Sequence, residues 1–275
     1  MTELPFETVK AINQYKPIEI DGLTLYPVKV EDYQDYLITK PAIEFLQQSL
    51  PVRLMSVPLL QALYQTDIEA LQSGTEPLGM FPRALGFLSL SLRLGEGMAL
   101  TERLKLFEVA IDTNDPLKLK ALRFDTAQGT REITPTLFQR LRPILAAQNG
   151  IELLSDKANP ELVQAERDIA EQNAPPLDLR FENLIHSVAA LSGSDEEEIY
   201  GWAIKKLQDR QSTYKRILDY LMCGIGEMQG TSWKGGNPYP HPWFDKLSDR
   251  SAALMPMSEF ANGAGLRAVQ NAGGE

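Results

Sequence analysis

The feature that most constrains this chain is an amphipathic stretch in its last third. Ser194 offers a hydroxyl at a helix start and Glu197, three residues on, can reach back to it. Asp195, Glu196, Glu197 and Glu198 complement the positive end of the same helix. Ile199, Trp202, Ala203, Leu207, Tyr214, Ile217, Leu218, Leu221 and Ile225 then recur as an apolar stripe at helical spacing. The expectation is one helix from Asp195 to about Met228, about 35 residues and roughly 50 Å long. A shorter apolar helix, Phe181 to Leu191, precedes it and stops at Gly193.

The other elements follow from local pattern. Residues 17 to 30 read as a hairpin, with Ile18-Glu19-Ile20 alternating, Asp21-Gly22 as a tight turn and Leu23 to Val30 alternating back. Helical spacing begins at Glu31 with Tyr33, Tyr36 and Leu37, and Pro41 predicts a break or a new helix start. Leu59, Leu60, Leu63, Tyr64, Ile68 and Leu71 share one face of a helix that stops at Ser73-Gly74. Phe81 to Leu94 is apolar enough for a short helix buried all round.

In the middle, Leu104 to Ile111, Leu117 to Phe124 and Arg131 to Ile133 read as a small antiparallel meander, with turns at Asp112–Pro116 and Gln128-Gly129. Thr134 then caps a helix with Pro135 in its first turn, a kink is expected at Pro143, and Asn149-Gly150 is the stop. Polar residues 155 to 176, with a charged helix over Glu161 to Glu171, mark a boundary. The expected class is α+β and predominantly α-helical, a small antiparallel meander with a long C-terminal helix. It is organised as an α+β region over 1–154, a helical region over 177–246 and a flexible tail over 247–275.

Charge and cysteine content narrow the function classes. Lys and Arg total 27 against 37 for Asp and Glu, a net charge of −10 that argues against duplex DNA or an anionic membrane as the main partner. The lone Cys223 rules out an internal disulfide and a cysteine-built metal site. With no signal-peptide pattern and no apolar run of membrane-spanning length, the expected localisation is cytoplasmic.

Candidate chemistry is sparse. Glu182 and His186 lie four apart on one helix face and could form an acid/base pair, but one His with no third ligand nearby is a poor metal site, and a surface ion pair explains them as well. Gly224-Ile225-Gly226 and Gly263-Ala264-Gly265 follow no predicted strand and are not phosphate loops; the first pair of glycines instead suggests close packing against a helix near its end. The charge run Asp195 to Glu198 is accounted for by capping. No catalytic, cofactor-binding or metal residue is assigned.

The segment from Trp233 to Lys246 stands apart. Its prolines deny it a helix, while Trp233, Tyr239, Trp243 and Phe244 carry apolar area that must dock on something. It can strap the last helices, burying Trp233 and Trp243, or it can present Tyr239 and His241 in extended form to a partner. Tyr239, His241, Trp243 and Phe244 are therefore the candidate partner-binding residues.

In patches, the chain resembles tail assembly chaperones of bacteriophages and prophages. The patches are Ile20 to Tyr33, Glu132 to Leu153, Val188-Ala189-Ala190-Leu191-Ser192-Gly193 leading into Glu198-Ile199-Tyr200-Gly201-Trp202, and Pro240 to Lys246; the Gly/Ala-rich end has no counterpart. The resemblance implies a mainly helical, non-enzymatic protein of the host cytoplasm, without cofactor. It would bind the tape-measure or tail-tube protein, with self-association possible, during virion morphogenesis. The alternatives are a structural virion component such as a baseplate or neck adaptor, and a hydrolase using Glu182 and His186.

Overall fold

A computed structural model describes residues 4–126, 129–154, 165, 168, 169, 180–231 and 237. The fold is α+β and predominantly helical, with two small antiparallel sheets among the described residues. The chain forms two compact units, Met1–Arg210 and Gln211–Glu275.

In the first unit, helix α1 (Phe6–Asn13) leads into the hairpin of β1 (Ile18–Ile20) and β2 (Leu23–Leu25). Asp21 and Gly22 both take positive φ, 50° and 74°, the mirror-image turn whose twist matches that of the strands it joins. The register sets Ile18 opposite Leu25 and Ile20 opposite Leu23, so Ile18, Leu23 and Leu25 face the core.

Helix α2 (Tyr33–Glu44) runs straight through Pro41, and the expected break does not occur. Three residues remain beyond the proline, two of them, Ala42 and Ile43, fully buried, and that burial outweighs one missing hydrogen bond. Arg142 reinforces the end of α2, its Nε donating to the carbonyl of Ile43 at 2.8 Å and its Nη2 to that of Phe45 at 2.7 Å.

Helix α3 (Leu59–Ser73) ends at Gly74, as its sequence predicts, but Leu71 is exposed and the inward position one turn earlier belongs to Asp67. Asp67 has a purpose there. Its carboxylate accepts the backbone N–H of Gly79 and of Phe81, both at 3.0 Å, at the start of α4 (Met80–Ser91). A buried acid thus caps a neighbouring helix from across the fold, satisfying donors that have no partner within the helix.

Helix α4 is the centre of the core, buried from Ala84 to Ser91 as expected. Gly86 permits its close approach to α2, since a Cβ there would lie 2.6 Å from Thr39 Cγ2 and 3.0 Å from Leu100 Cδ1. Thr39 is fully buried and its hydroxyl is held by the Asp35 carbonyl at 2.7 Å, so it has little freedom to move aside. Gly86→Ala is expected to cost about 1–3 kcal/mol through overpacking, read as a lower denaturation midpoint with an unchanged slope.

A strand starting at Leu104 is replaced by helix α5 (Leu100–Leu104), and β3 (Glu108–Ile111) begins four residues later. The alternation at Leu104 and Leu106 continues into β3, which hides the boundary. Backbone turns such as Lys105 N–H to Glu102 and Leu106 N–H to Arg103 hold the chain helical there, while Arg103 is buried. β4 (Leu119–Thr126) pairs with β3 and with β5 (Gly129–Ile133), giving the expected antiparallel meander. Gln61 of α3 pins it, accepting the N–H of Leu119 at 2.7 Å and donating to the carbonyl of Leu117 at 2.8 Å.

Helix α6 (Pro135–Gln148) starts where Thr134 Oγ1 accepts the N–H of Leu137 and runs unbroken through Pro143. Its end stitches the unit together. Gln148 Nε2 donates to the carbonyls of Lys16 and Leu25, and Asn149 Oδ1 accepts the N–H of Val28 at 2.8 Å. Helix α7 (Phe181–Ser192) docks through buried Ile185 and Val188 and by stacking Phe181 on Tyr33, centroids 3.7 Å apart.

The single helix expected from Asp195 to Met228 is two helices, α8 (Glu196–Tyr200) and α9 (Ile204–Met228). Between them the chain leaves the helix to pair with the segment after the first hairpin. Val30 N–H donates to the Trp202 carbonyl at 2.8 Å, Ile204 N–H to the Val28 carbonyl at 2.9 Å, and Lys29 bridges Ala203. The cap of α8 is Asp195, accepting the N–H of Glu197 at 3.1 Å, one residue after the expected Ser194. Within the charged segment 161–171, Ala165, Asp168 and Ile169 are helical.

Candidate functional site

Helix α9 begins inside the first unit, with Ile204 and Leu207 fully buried. Two further side chains fix this first part. Asp209 Oδ2 accepts from the Tyr15 hydroxyl at 2.9 Å and from Lys205 Nζ at 2.7 Å. Burial and the bond to this carboxylate push the Tyr15 phenol up to about 12. Preceding the helix, Trp202 donates its indole N–H to Glu198 and carries the Lys206 ammonium 3.6 Å above its ring. Burial holds the Lys206 pKa below its ordinary value.

In the second unit the same helix presents its apolar residues outward. Leu218 is 52 % exposed, Leu221 50 %, Ile225 49 % and Met228 89 %, with Ile217 and Met222 exposed beside them. No described residue of the second unit is buried. A helical segment gains most of its stability by packing an apolar face, so a face of this length without cover is a docking surface awaiting an occupant. Toward its end the face carries a shallow depression of about 420 Å³, lined by Tyr220, Leu221, Gly224, Ile225, Met228 and Asn237. Close packing within the chain is not found at Gly224, where an added Cβ would meet nothing within 4 Å.

The candidate partner residues Tyr239, His241, Trp243 and Phe244 lie outside the described residues, as do Trp233, Gly263, Gly265 and the tail 247–275. His186 does not pair with Glu182. Its Nε2 faces Glu196 Oε2 at 3.4 Å, with both side chains about half exposed, so the two helices α7 and α8 meet in a surface ion pair rather than an acid/base site. Among the described residues no group of three His, Cys, Asp or Glu side chains is placed to hold a metal ion. No described helix is long and apolar enough to cross a membrane.

Periodicity alone did not distinguish the exposed row from the buried one. Ile204 and Leu207 obey the same spacing as Leu218, Leu221 and Ile225, and spacing carries no information about which molecule covers a face. No family model, curated protein or solved structure matches this chain.

Proposed function

We propose that this protein is a non-enzymatic assembly factor of the phage tail-chaperone kind, and that it holds its client on the exposed face of α9. The observation that carries this reading is the row Leu218, Leu221, Ile225 and Met228, half exposed or more on a helix anchored at its other end by buried Ile204 and Leu207. An amphipathic helix offered on a rigid base is suited to lie in the groove of another protein or to receive its helix. The sequence patches similar to tail assembly chaperones supply the class of client, a tape-measure or tail-tube protein in the cytoplasm of an infected or lysogenic host.

Co-expression with the tape-measure or tube protein encoded beside it should give a complex that co-purifies. Leu221→Asp should weaken that complex by about 30-fold or more, as the loss of a central apolar anchor does, while far-ultraviolet circular dichroism stays unchanged. Recovery of the protein from purified particles by mass spectrometry, with no complex on co-expression, would replace this reading with a structural virion component.

A further inference from the structure

The exposed row on α9 has a spacing and a charge order that select an occupant for it in the free protein. Tyr214, Leu218, Leu221, Ile225 and Met228 recur at four, three, four and three residues, the seam along which two helices interlock. The flanking charges are unevenly placed. Lys215 and Arg216 stand near the beginning of the exposed part, and Glu227 stands at its end. Two copies side by side in parallel would set these cations against one another. Two copies running antiparallel and centred on Leu221 bring Lys215 of each beside Glu227 of the other, and their helix dipoles oppose as well.

The same alignment brings Leu218 of one copy to Gly224 of the other. In the chain by itself, a Cβ at Gly224 would meet nothing within 4 Å, so this position has room for an incoming side chain. We infer that the free protein pairs with a second copy of itself through an antiparallel contact of Tyr214 to Met228, and that a client must displace this copy to bind. The inference rests on the proposed use of the face and adds its regulation.

Sedimentation velocity on the full chain over about 1–100 µM should show a dimer that dissociates on dilution. Leu221→Asp should give a monomer over that whole range. Lys215→Glu with Arg216→Glu should weaken the dimer by about tenfold or more, and adding Glu227→Lys to the same chain should restore it, because only in an antiparallel pair do the exchanged charges meet. A wild-type chain that is monomeric throughout overturns the inference, leaving the face to the chain's own later residues or to an unlike partner. A dimer indifferent to Leu221→Asp, or a charge exchange that fails to restore pairing, overturns it too. A monomer that still captures its client sinks the dimer and keeps the proposed function; a dimer that captures no client does the reverse.

Discussion

Asp32→Ala is expected to destabilise the first unit by about 3–5 kcal/mol, because it strands a charge rather than merely deleting a contact. Arg103 is 4 % exposed, and its Nη2 donates to Asp32 Oδ1 at 2.8 Å while its Nε donates to the Met98 carbonyl at 3.0 Å. Without the carboxylate, the guanidinium stays buried at the junction of α2 and α5. Replacing both partners with apolar residues, Asp32→Leu with Arg103→Met, should recover most of the loss. The reason lies in Asp32, whose pKa is raised by burial in spite of the cation beside it.

The sign of that shift matters. A carboxyl with a raised folded pKa binds its proton more readily folded than unfolded, so its contribution to stability is present at low pH and falls as pH rises through the folded value. At neutral pH the ionised pair therefore gives little net stability over an apolar isostere, though breaking it is costly. Urea denaturation of the single and double variants checks this. A single variant within about 0.5 kcal/mol of wild type would mean that water reaches the guanidinium and that the pair is ornamental.

Asn149→Ala should cost about 2–4 kcal/mol, since it leaves two buried backbone groups without partners. Asn149 is fully buried; its Oδ1 holds Val28 N–H at 2.8 Å and its Nδ2 donates to the Leu145 carbonyl at 2.8 Å. The effect should spread in one direction. Val28 also receives Ile204 N–H, and its neighbour Val30 donates to Trp202, so the segment that Asn149 fixes is the one against which α8 and α9 part. Amide hydrogen exchange at Val30 and Ile204 should accelerate more than at Leu88 in the centre of α4. Asn149→Asp should not rescue, because a carboxylate can accept from Val28 but cannot donate to Leu145 and would carry a charge into the core. Equal acceleration at all three amides would show only global destabilisation and would remove Asn149 from its role as the clasp.

Much of this architecture was legible in local chemistry. Asp21-Gly22 demanded a turn with positive φ and received it; Thr134-Pro135 and Gly193 marked helix ends because caps depend on a few neighbouring residues. The meander between Glu108 and Ile133 followed from alternation and turn residues alone. What local chemistry misread were the places where a distant segment competes. Pro41 stayed inside α2 because Ala42 and Ile43 are buried there, and Leu104 became helical although the residues around it alternate. The stretch from Asp195 to Met228 was divided because Val28 and Val30, some 170 residues earlier by the numbering, draw its backbone bonds away.

The candidate site shows the same division. The sequence by itself determined that α9 is amphipathic and which residues form its apolar row, since a period of 3.6 residues is a property of the chain alone. Only the tertiary structure decided that Ile204 and Leu207 are inside while Leu218, Leu221, Ile225 and Met228 face outward. Burial is a relation between a side chain and whatever lies opposite it, and for the first part of α9 that is the rest of the first unit, anchored by Tyr15 and Asn149. Beyond Arg210 the described chain supplies no such surface, so the same pattern that builds a core becomes a face for another molecule.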